Sequence, residues 1–311
     1  MDFQDRLQVE GMMIMGEGSW FRRISVLAIA GMVLAACQTA SPPGSTANAV
    51  GSGAGQEVAV AAVSYAPAST GETRGYSELV MDLASGDELS SLNADAPRFP
   101  ASLTKMMTLY LLFEEVEAGR YSLSTPLRVS ATAARQPPAK IGLKPGSTIT
   151  VEQAARALAV KSANDVAVTV AENIAGSEHA FTRKMTSKAR ALGLTGTRYV
   201  NASGLPDPRQ VTTARDMARL GRALKLRFPQ YGAYFRAKSF TFNGRNFRAT
   251  NNLLGKVAGV DGLKTGHINM SGYNLVATAR RGGKQRLVVV MGGQSEGARD
   301  EKVTALLEQS F

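Results

Sequence analysis

From Leu103 to Phe113 the chain reads Leu-Thr-Lys-Met-Met-Thr-Leu-Tyr-Leu-Leu-Phe, an apolar run without Gly or Pro. That pattern predicts a helix buried on most of its faces, and Pro100 just ahead marks its start. Residues 76–82 alternate between apolar and polar and lead into Ser85-Gly86-Asp87, a strand and turn with 88–92 as the return strand. Leu143-Lys144-Pro145-Gly146 reads as a turn, and Thr150 with Gln153 forms a capping box for a helix running to about Val160. Helices are expected over 165–175 and 177–192, closed by Gly176 and Gly193, and another from Thr213 to about Leu226. Beyond residue 238 the pattern turns to strands at 239–242, 262–265, 273–279 and 286–291. Gly282-Gly283 makes a hairpin of the last two, and 299–309 closes as a helix. Strands at both ends of a helical middle predict an α+β fold, an antiparallel sheet flanked by helices with a mostly helical subdomain.

The N-terminal stretch has a different character. Thirteen uncharged residues from Ile24 to Ala36 follow Trp20-Phe21-Arg22-Arg23, too few to span a bilayer and right for the core of a signal peptide. Asp2, Asp5 and Glu10 are acidic where such a peptide is basic, so Met12, Met13 and Met15 are alternative starts. The core ends in Leu34-Ala35-Ala36-Cys37, which resembles the lipobox of bacterial lipoproteins, with Cys37 the lipidated residue. Residues 38–71 are rich in Ser, Ala, Gly, Pro and Thr, with Glu57 their one formal charge, and read as a flexible tether. The expected organisation is a lipoprotein signal peptide over 1–37, a linker over 38–71 and a catalytic domain over 72–311. The protein is then exported and held by lipid at Cys37 on the periplasmic face of a bacterial membrane.

Charge changes this picture little. Lys and Arg number 36 against 25 acidic residues, a net of +11. They are scattered, without a basic block or interleaved aromatics, which argues against nucleic acid and suits an anionic polymer such as cell wall. Two isolated His and one Cys supply no metal-ligand cluster, so neither metal nor cofactor is expected.

The chemistry concentrates in three short motifs. Ser102 falls in the first turn of the predicted buried helix, where backbone N–H groups are unpaired and the local potential is positive. Lys105 lies three residues on, and a partly desolvated lysine there has a lowered pKa and a neutral amine that can serve the serine as a base. Ser162-Ala163-Asn164 lies between two helices, where a hydroxyl and an amide can project from a loop. In Lys264-Thr265-Gly266 the lysine brings positive charge, the threonine a hydroxyl for a substrate carboxylate, and the glycine close approach to a strand edge. Each motif alone is weak; in the order S-x-x-K, S-x-N, K-T-G they are specific. Gly293-x-Ser295-x-Gly297 also matches a nucleophile elbow, but that fold needs a histidine after the serine, and the only two are His179 and His267.

With these motifs the chain resembles the low-molecular-mass penicillin-binding proteins, specifically the serine-type D-alanyl-D-alanine carboxypeptidases. Further matching stretches are Asn93-Ala94-Asp95, 100–108, 143–146, 162–165, 214–218, 260–267, 272–277 and 290–293. The resemblance implies a β-lactamase/DD-peptidase-like fold and hydrolysis of the terminal D-alanyl-D-alanine bond of peptidoglycan stem pentapeptides. It implies that Ser102 is acylated, Lys105 takes its proton, Ser162 relays protons, Asn164 positions the substrate amide and Lys264 sets the electrostatics. It further implies that Ser102 and His267 lend backbone N–H groups to an oxyanion hole and that Arg299 helps place the substrate carboxylate. β-Lactams would then be covalent inhibitors, and the partners would be stem peptides and, through the lipid, a membrane. Many relatives carry a second, β-rich domain after the catalytic one; here no C-terminal second domain is expected. The segment from Gln136 to Lys140 beside the site is short. Alternative readings are a D,D-endopeptidase of the same fold, a serine β-lactamase, and a non-catalytic lipid-tethered wall-binding protein.

Overall fold

The structure, a computed structural model, describes residues 74–311. The expected signal peptide, the Cys37 lipidation site and the tether over 38–71 lie outside the described residues. In chain order the strands are β1 (Ser77–Asp82), β2 (Glu88–Leu92), β3 (Pro126–Arg128), β4 (Thr148–Thr150), β5 (Ser239–Phe242), β6 (Arg245–Arg248), β7 (Val260–Ile268), β8 (Gly272–Arg281) and β9 (Lys284–Gly293). The helices are α1 (Lys105–Glu117), α2 (Ala131–Ala134), α3 (Val151–Arg156), α4 (Asn164–Ala175), α5 (Glu178–Ala191), α6 (Ala214–Arg227), α7 (Gly232–Arg236) and α8 (Glu296–Ser310).

Five strands form one sheet in the order β2-β1-β9-β8-β7, and every neighbouring pair is antiparallel. β9 shows why. Its run Leu287-Val288-Val289-Val290-Met291 is buried throughout, as an inner strand covered on both faces must be. Because side chains alternate, Val288 and Val290 face Val303, Leu306 and Leu307 of α8, whereas Leu287, Val289 and Met291 join the larger core on the other face. Gly282 and Gly283 turn β8 into β9 with φ of 50° and 78°, the left-handed pair a two-residue hairpin requires. β7 is left at the edge of the sheet, facing the helical part of the molecule.

The helical part is organised on α1. Ten of its thirteen residues are buried, so it is wrapped on nearly every side rather than along one stripe. The expected capping box is present, Thr150 Oγ1 accepting from the Gln153 N–H and Gln153 Oε1 from the Thr150 N–H. The helix it opens does not run regularly to Val160; α3 ends at Arg156 and continues as a π-type turn over Ala157–Lys161. β7 extends beyond the expected 262–265 at both ends. The closing helix starts three residues early, because Ser295 Oγ accepts from the Ala298 N–H as an N-cap. That bond gives the serine of the Gly-x-Ser-x-Gly stretch a structural task. The ribbons β3–β4 and β5–β6 and the short α2 and α7 contain elements too brief to show a period; of these only β5 stood out in the sequence.

Leu109 lies mid-way along α1 with none of its surface exposed. Leu109→Ala should cost about 2–5 kcal/mol of unfolding free energy through lost burial and residual cavity. Urea denaturation measures it, and a loss below about 1 kcal/mol would contradict the central role given to α1.

Candidate active site

Ser102 sits on a 3₁₀ turn, Ala101–Thr104, and not on the first turn of the α-helix itself; Lys105 opens α1. The turn is held in an unusual shape. Ala101 has φ of 48°, a left-handed conformation costing roughly 1–2 kcal/mol for a residue with a Cβ. Gly204, with φ of 84°, lies against its carbonyl: a Cβ added at Gly204 would stand 1.8 Å from Ala101 O and 2.9 Å from Ser102 N. Only glycine fits there. The β7 edge also comes close, though less so, since a Cβ at Gly266 would lie 3.0 Å from Pro100 O and 3.1 Å from Ser102 N.

Lys105 is fully buried, and its Nζ has three oxygen partners: Ser102 Oγ at 3.0 Å, Asn164 Oδ1 at 2.8 Å and the Ser203 carbonyl. Burial holds its pKa well below the ordinary lysine value, and the nearby charge of Lys264 lowers it further, with Asp165 opposing. The neutral amine is thereby made accessible beside the serine hydroxyl.

Ser162 terminates the π-type turn in a left-handed conformation, φ 62° and ψ 39°. Its Oγ is buried and finds no hydrogen-bond partner among the described residues. Asn164 is the first residue of α4 rather than a loop residue, and its Nδ2 donates to Pro137 O at 3.0 Å. Asp165 beside it is wholly buried and gathers the N–H groups of Ile141, Gly142 and Leu143 at 3.3, 2.8 and 3.1 Å. That carboxylate fixes the 137–143 segment against α4, and with it the Pro137 carbonyl that orients Asn164.

On β7, Lys264 is buried and donates to the Thr265 carbonyl at 2.8 Å. Burial, followed by the charge of Arg299, brings its pKa down to about 7. Thr265 Oγ1 donates to Thr250 Oγ1 at 2.7 Å. The exposed His267 ring stacks on Tyr273, with centroids 4.0 Å apart and planes inclined by 22°. Arg299 is almost fully buried and pairs with Asp300 at 2.6 Å and, more loosely, with Glu296 at 3.6 Å.

These groups enclose a cleft of ≈ 280 Å³ between the β7 edge and the helical part. Ser102, Ser162, Asn164, Thr265, Gly266, His267 and Arg299 line it; Lys105 and Lys264 lie beneath its surface. Nine of the residues singled out in the sequence thus share one site, with Lys264 acting on Lys105 through its charge. Asp165, Gly204 and Thr250 also shape the site and were not singled out. Asp165 was visible as the residue after Ser-Ala-Asn, whereas nothing in the sequence marks Gly204 as touching Ala101. Asp207, the acid on the 201–212 loop, is turned to Arg209 at 2.6 Å, and that pairing holds its carboxyl below the usual range.

The family model for D-alanyl-D-alanine carboxypeptidases, Peptidase_S11, matches residues 62–295. D-alanyl-D-alanine carboxypeptidase DacA of Escherichia coli K12 is 38% identical over 242 residues, 76% of this chain and 60% of that protein. DacF of Bacillus subtilis 168 is 34% identical over 245 residues, 76% of this chain and 61% of its own. The chain therefore spans about 60% of the length of these relatives. Among solved structures, penicillin binding protein 5 from Haemophilus influenzae superposes with a TM-score of 0.73 at 33% identity, covering 79% of this chain and 72% of that one. The ampicillin-bound form of penicillin-binding protein D2 from Listeria monocytogenes gives 0.65 at 30% identity, covering 76% and 96%.

The buried lysines make stability depend on pH. An unfolded lysine keeps its proton to about pH 10.4, whereas folded Lys264 releases it near 7. Between those values folding sheds a proton, so stability rises with pH; below 7 the folded state carries the full cost of the buried charge. Lys105 acts in the same direction. Urea midpoints should therefore rise from pH 7 to pH 9 more steeply in the wild type than in Lys264→Met, and equal slopes would contradict the burial of a titrating amine.

Proposed function

The chain belongs to the D-alanyl-D-alanine carboxypeptidase family, and from that premise we propose that it hydrolyses the terminal D-alanyl-D-alanine bond of peptidoglycan stem pentapeptides through a serine acyl-enzyme. One observation carries the reading: a fully buried lysine amine 3.0 Å from the Ser102 hydroxyl, at the floor of a cleft. A nucleophile with its base already in hydrogen-bond reach and desolvated is the arrangement acyl transfer requires.

In this mechanism neutral Lys105 accepts the Ser102 proton as Oγ bonds to the penultimate D-alanine carbonyl. The oxyanion so formed lies at the junction of the 3₁₀ turn and the β7 edge, within reach of the Ser102 and His267 backbone N–H groups. The proton passes to the leaving amine, with the unpaired Ser162 hydroxyl as relay, and free D-alanine departs. Asn164, fixed by Pro137 and Lys105, aligns the peptide amide. Thr265 and Arg299 receive the terminal carboxylate, with Lys264 providing charge beneath them. Water then cleaves the ester with the same lysine as base, Ser102 Oγ regaining its proton.

The β-lactamase alternative fares less well. Rapid release of a penicilloyl group needs a carboxylate over the hydrolytic water. Among the described residues lining the cleft the only carboxylate is Glu296, which faces Arg299. Asp207 is committed to Arg209, and Glu178 accepts from the Ala202 N–H at 2.9 Å.

Location follows from Cys37. We propose that it carries a lipid and that residues 38–71 tether the domain to the periplasmic face of a membrane; acyl chains contribute about 0.8 kcal/mol per buried methylene.

Two experiments bear on these readings. Purified protein should release D-alanine from pentapeptide and be labelled by fluorescent penicillin. Ser102→Ala should lose both, and Lys105→Ala should slow acylation by roughly 10²–10⁴; labelling that survives Ser102→Ala would sink the assignment. In cells, Cys37→Ser should move the protein from the membrane to the soluble fraction, and unchanged membrane retention would refute the lipid anchor.

A further inference from the structure

Glu178 is the first residue of α5, and its simplest explanation is an acid placed at a helix N-terminus. Its side chain does something else. The helix is capped by Ser177, whose Oγ accepts from the Ala180 N–H at 3.1 Å, while Glu178 Oε1 reaches across to accept the Ala202 N–H at 2.9 Å. Burial raises its pKa, the Ala202 N–H partly offsets this, and the charge of Glu172 raises it again. Glu172 itself has one buried carboxylate oxygen without a partner among the described residues. No salt bridge joins either acid to a cation among the described residues. Two acids placed near one another and half withdrawn from water are unfavourable for the fold, a cost that the bond from the Ala202 N–H offsets only in part.

What that bond holds is the backbone that receives Lys105. Ala202 is completely buried and fixed at both ends: its N–H by Glu178, its carbonyl by Thr108 Oγ1 at 2.7 Å. The next carbonyl, of Ser203, accepts from Lys105 Nζ. The residue after that is Gly204, packed on the Ala101 carbonyl immediately before Ser102. Asn201 Oδ1 gathers the N–H groups of Ser203 and Gly204 at 3.2 and 2.7 Å and accepts from Gln210 Nε2 at 3.2 Å, and Gln210 in turn donates to Thr104 Oγ1 at 3.3 Å, a tie that reaches the loop through Asn201 rather than at the Ala202–Ser203 peptide. The ties from Ala202 to other elements are Thr108 on α1 and Glu178 on α5.

We propose that Glu178 is a positioning residue for the acyl-transfer step, holding the Ala202–Ser203 peptide so that the Ser203 carbonyl and Gly204 fix Lys105 and Ser102 in their reacting geometry. The inference rests on the functional reading above. Glu178 does not line the cleft, so its loss should change the rate of the chemical step and leave ligand binding in place.

The test separates initial binding of a fluorescent penicillin from the acylation rate constant, using the full folded protein. Glu178→Ala should keep the dissociation constant of the initial complex within about 2-fold while acylation slows on the order of 10- to 100-fold, the scale of a displaced catalytic group. Glu178→Gln, whose amide oxygen can accept the same N–H, should restore acylation to within about 3-fold of wild type, which a need for the charge itself would not allow. A folded Glu178→Ala protein that acylates at the wild-type rate overturns the inference, as does a Gln variant no better than Ala. Should Glu178→Ala fail to fold, Glu178→Met keeps the bulk of the side chain without an oxygen acceptor, and wild-type acylation by that variant would overturn the inference equally. A wild-type protein that the penicillin never labels defeats the functional reading; a labelled wild type with an indifferent Glu178→Ala defeats this inference alone.

Discussion

Everything at this site depends on keeping one lysine amine out of water. Lys105 has none of its surface exposed, and its Nζ meets oxygen on three sides, from Ser102, Asn164 and Ser203. A lysine at a protein surface stays protonated through the physiological range and cannot accept a proton. Burial alone would leave an amine with unsatisfied donors, so the site must supply acceptors without supplying the full negative charge that would restore the ammonium form. The Asn164 amide oxygen and the Ser203 carbonyl accept the neutral amine's two N–H groups, which leaves its lone pair for the Ser102 O–H. The nearby carboxylate of Asp165 does not undo it, because its oxygens are taken by three N–H groups of the 141–143 segment.

The same requirement explains why the site lies at a seam. Lys264 and Arg299 come from the sheet and from the helix packed on its far side, and their charges act in series, Arg299 on Lys264 and Lys264 on Lys105. Burying three basic groups in one region is unfavourable when they are charged, and it lowers the proton affinity of the two lysines. The elements that hold the lysines are β7, hydrogen-bonded along its length to β8, and α1, wrapped in apolar side chains on nearly every side. An anionic end of a substrate entering between them would meet a field already in place, so the repulsion becomes selectivity for a carboxylate.

How much of this could be read in the sequence follows from what kind of contact each residue makes. Ser102, Lys105 and Lys264 act through side chains at fixed spacing, and motif order was enough to bring them together. The long helix α1 and the hairpin at Gly282-Gly283 were legible because their patterns run over many residues. The π-type turn over Ala157–Lys161 was not, since its composition suits an α-helix equally well, and it is the turn that brings Ser162 into a left-handed conformation at the cleft. Asn164 was expected on a loop, one residue ahead of a helix from Asp165, but α4 takes it in as its first residue. Gly204 and Glu178 act on backbone groups far away in the chain, at Ala101 and Ala202, and a contact with a peptide group leaves no side-chain signature at its other end.

That distinction has a consequence for specificity. The groups that perform chemistry are held by backbone: Ser102 by the carbonyl–glycine contact at Ala101, Lys105 by Ser203, Asn164 by Pro137. Such supports tolerate many side chains so long as the chain path is kept. The cleft walls are different. Pro138, Ala139 and Leu205, on connecting segments, and Tyr273, on β8, line the cleft. The reacting side chains are therefore supported by a few peptide groups that no motif records, whereas the wall over 136–140 presents side chains to the cleft.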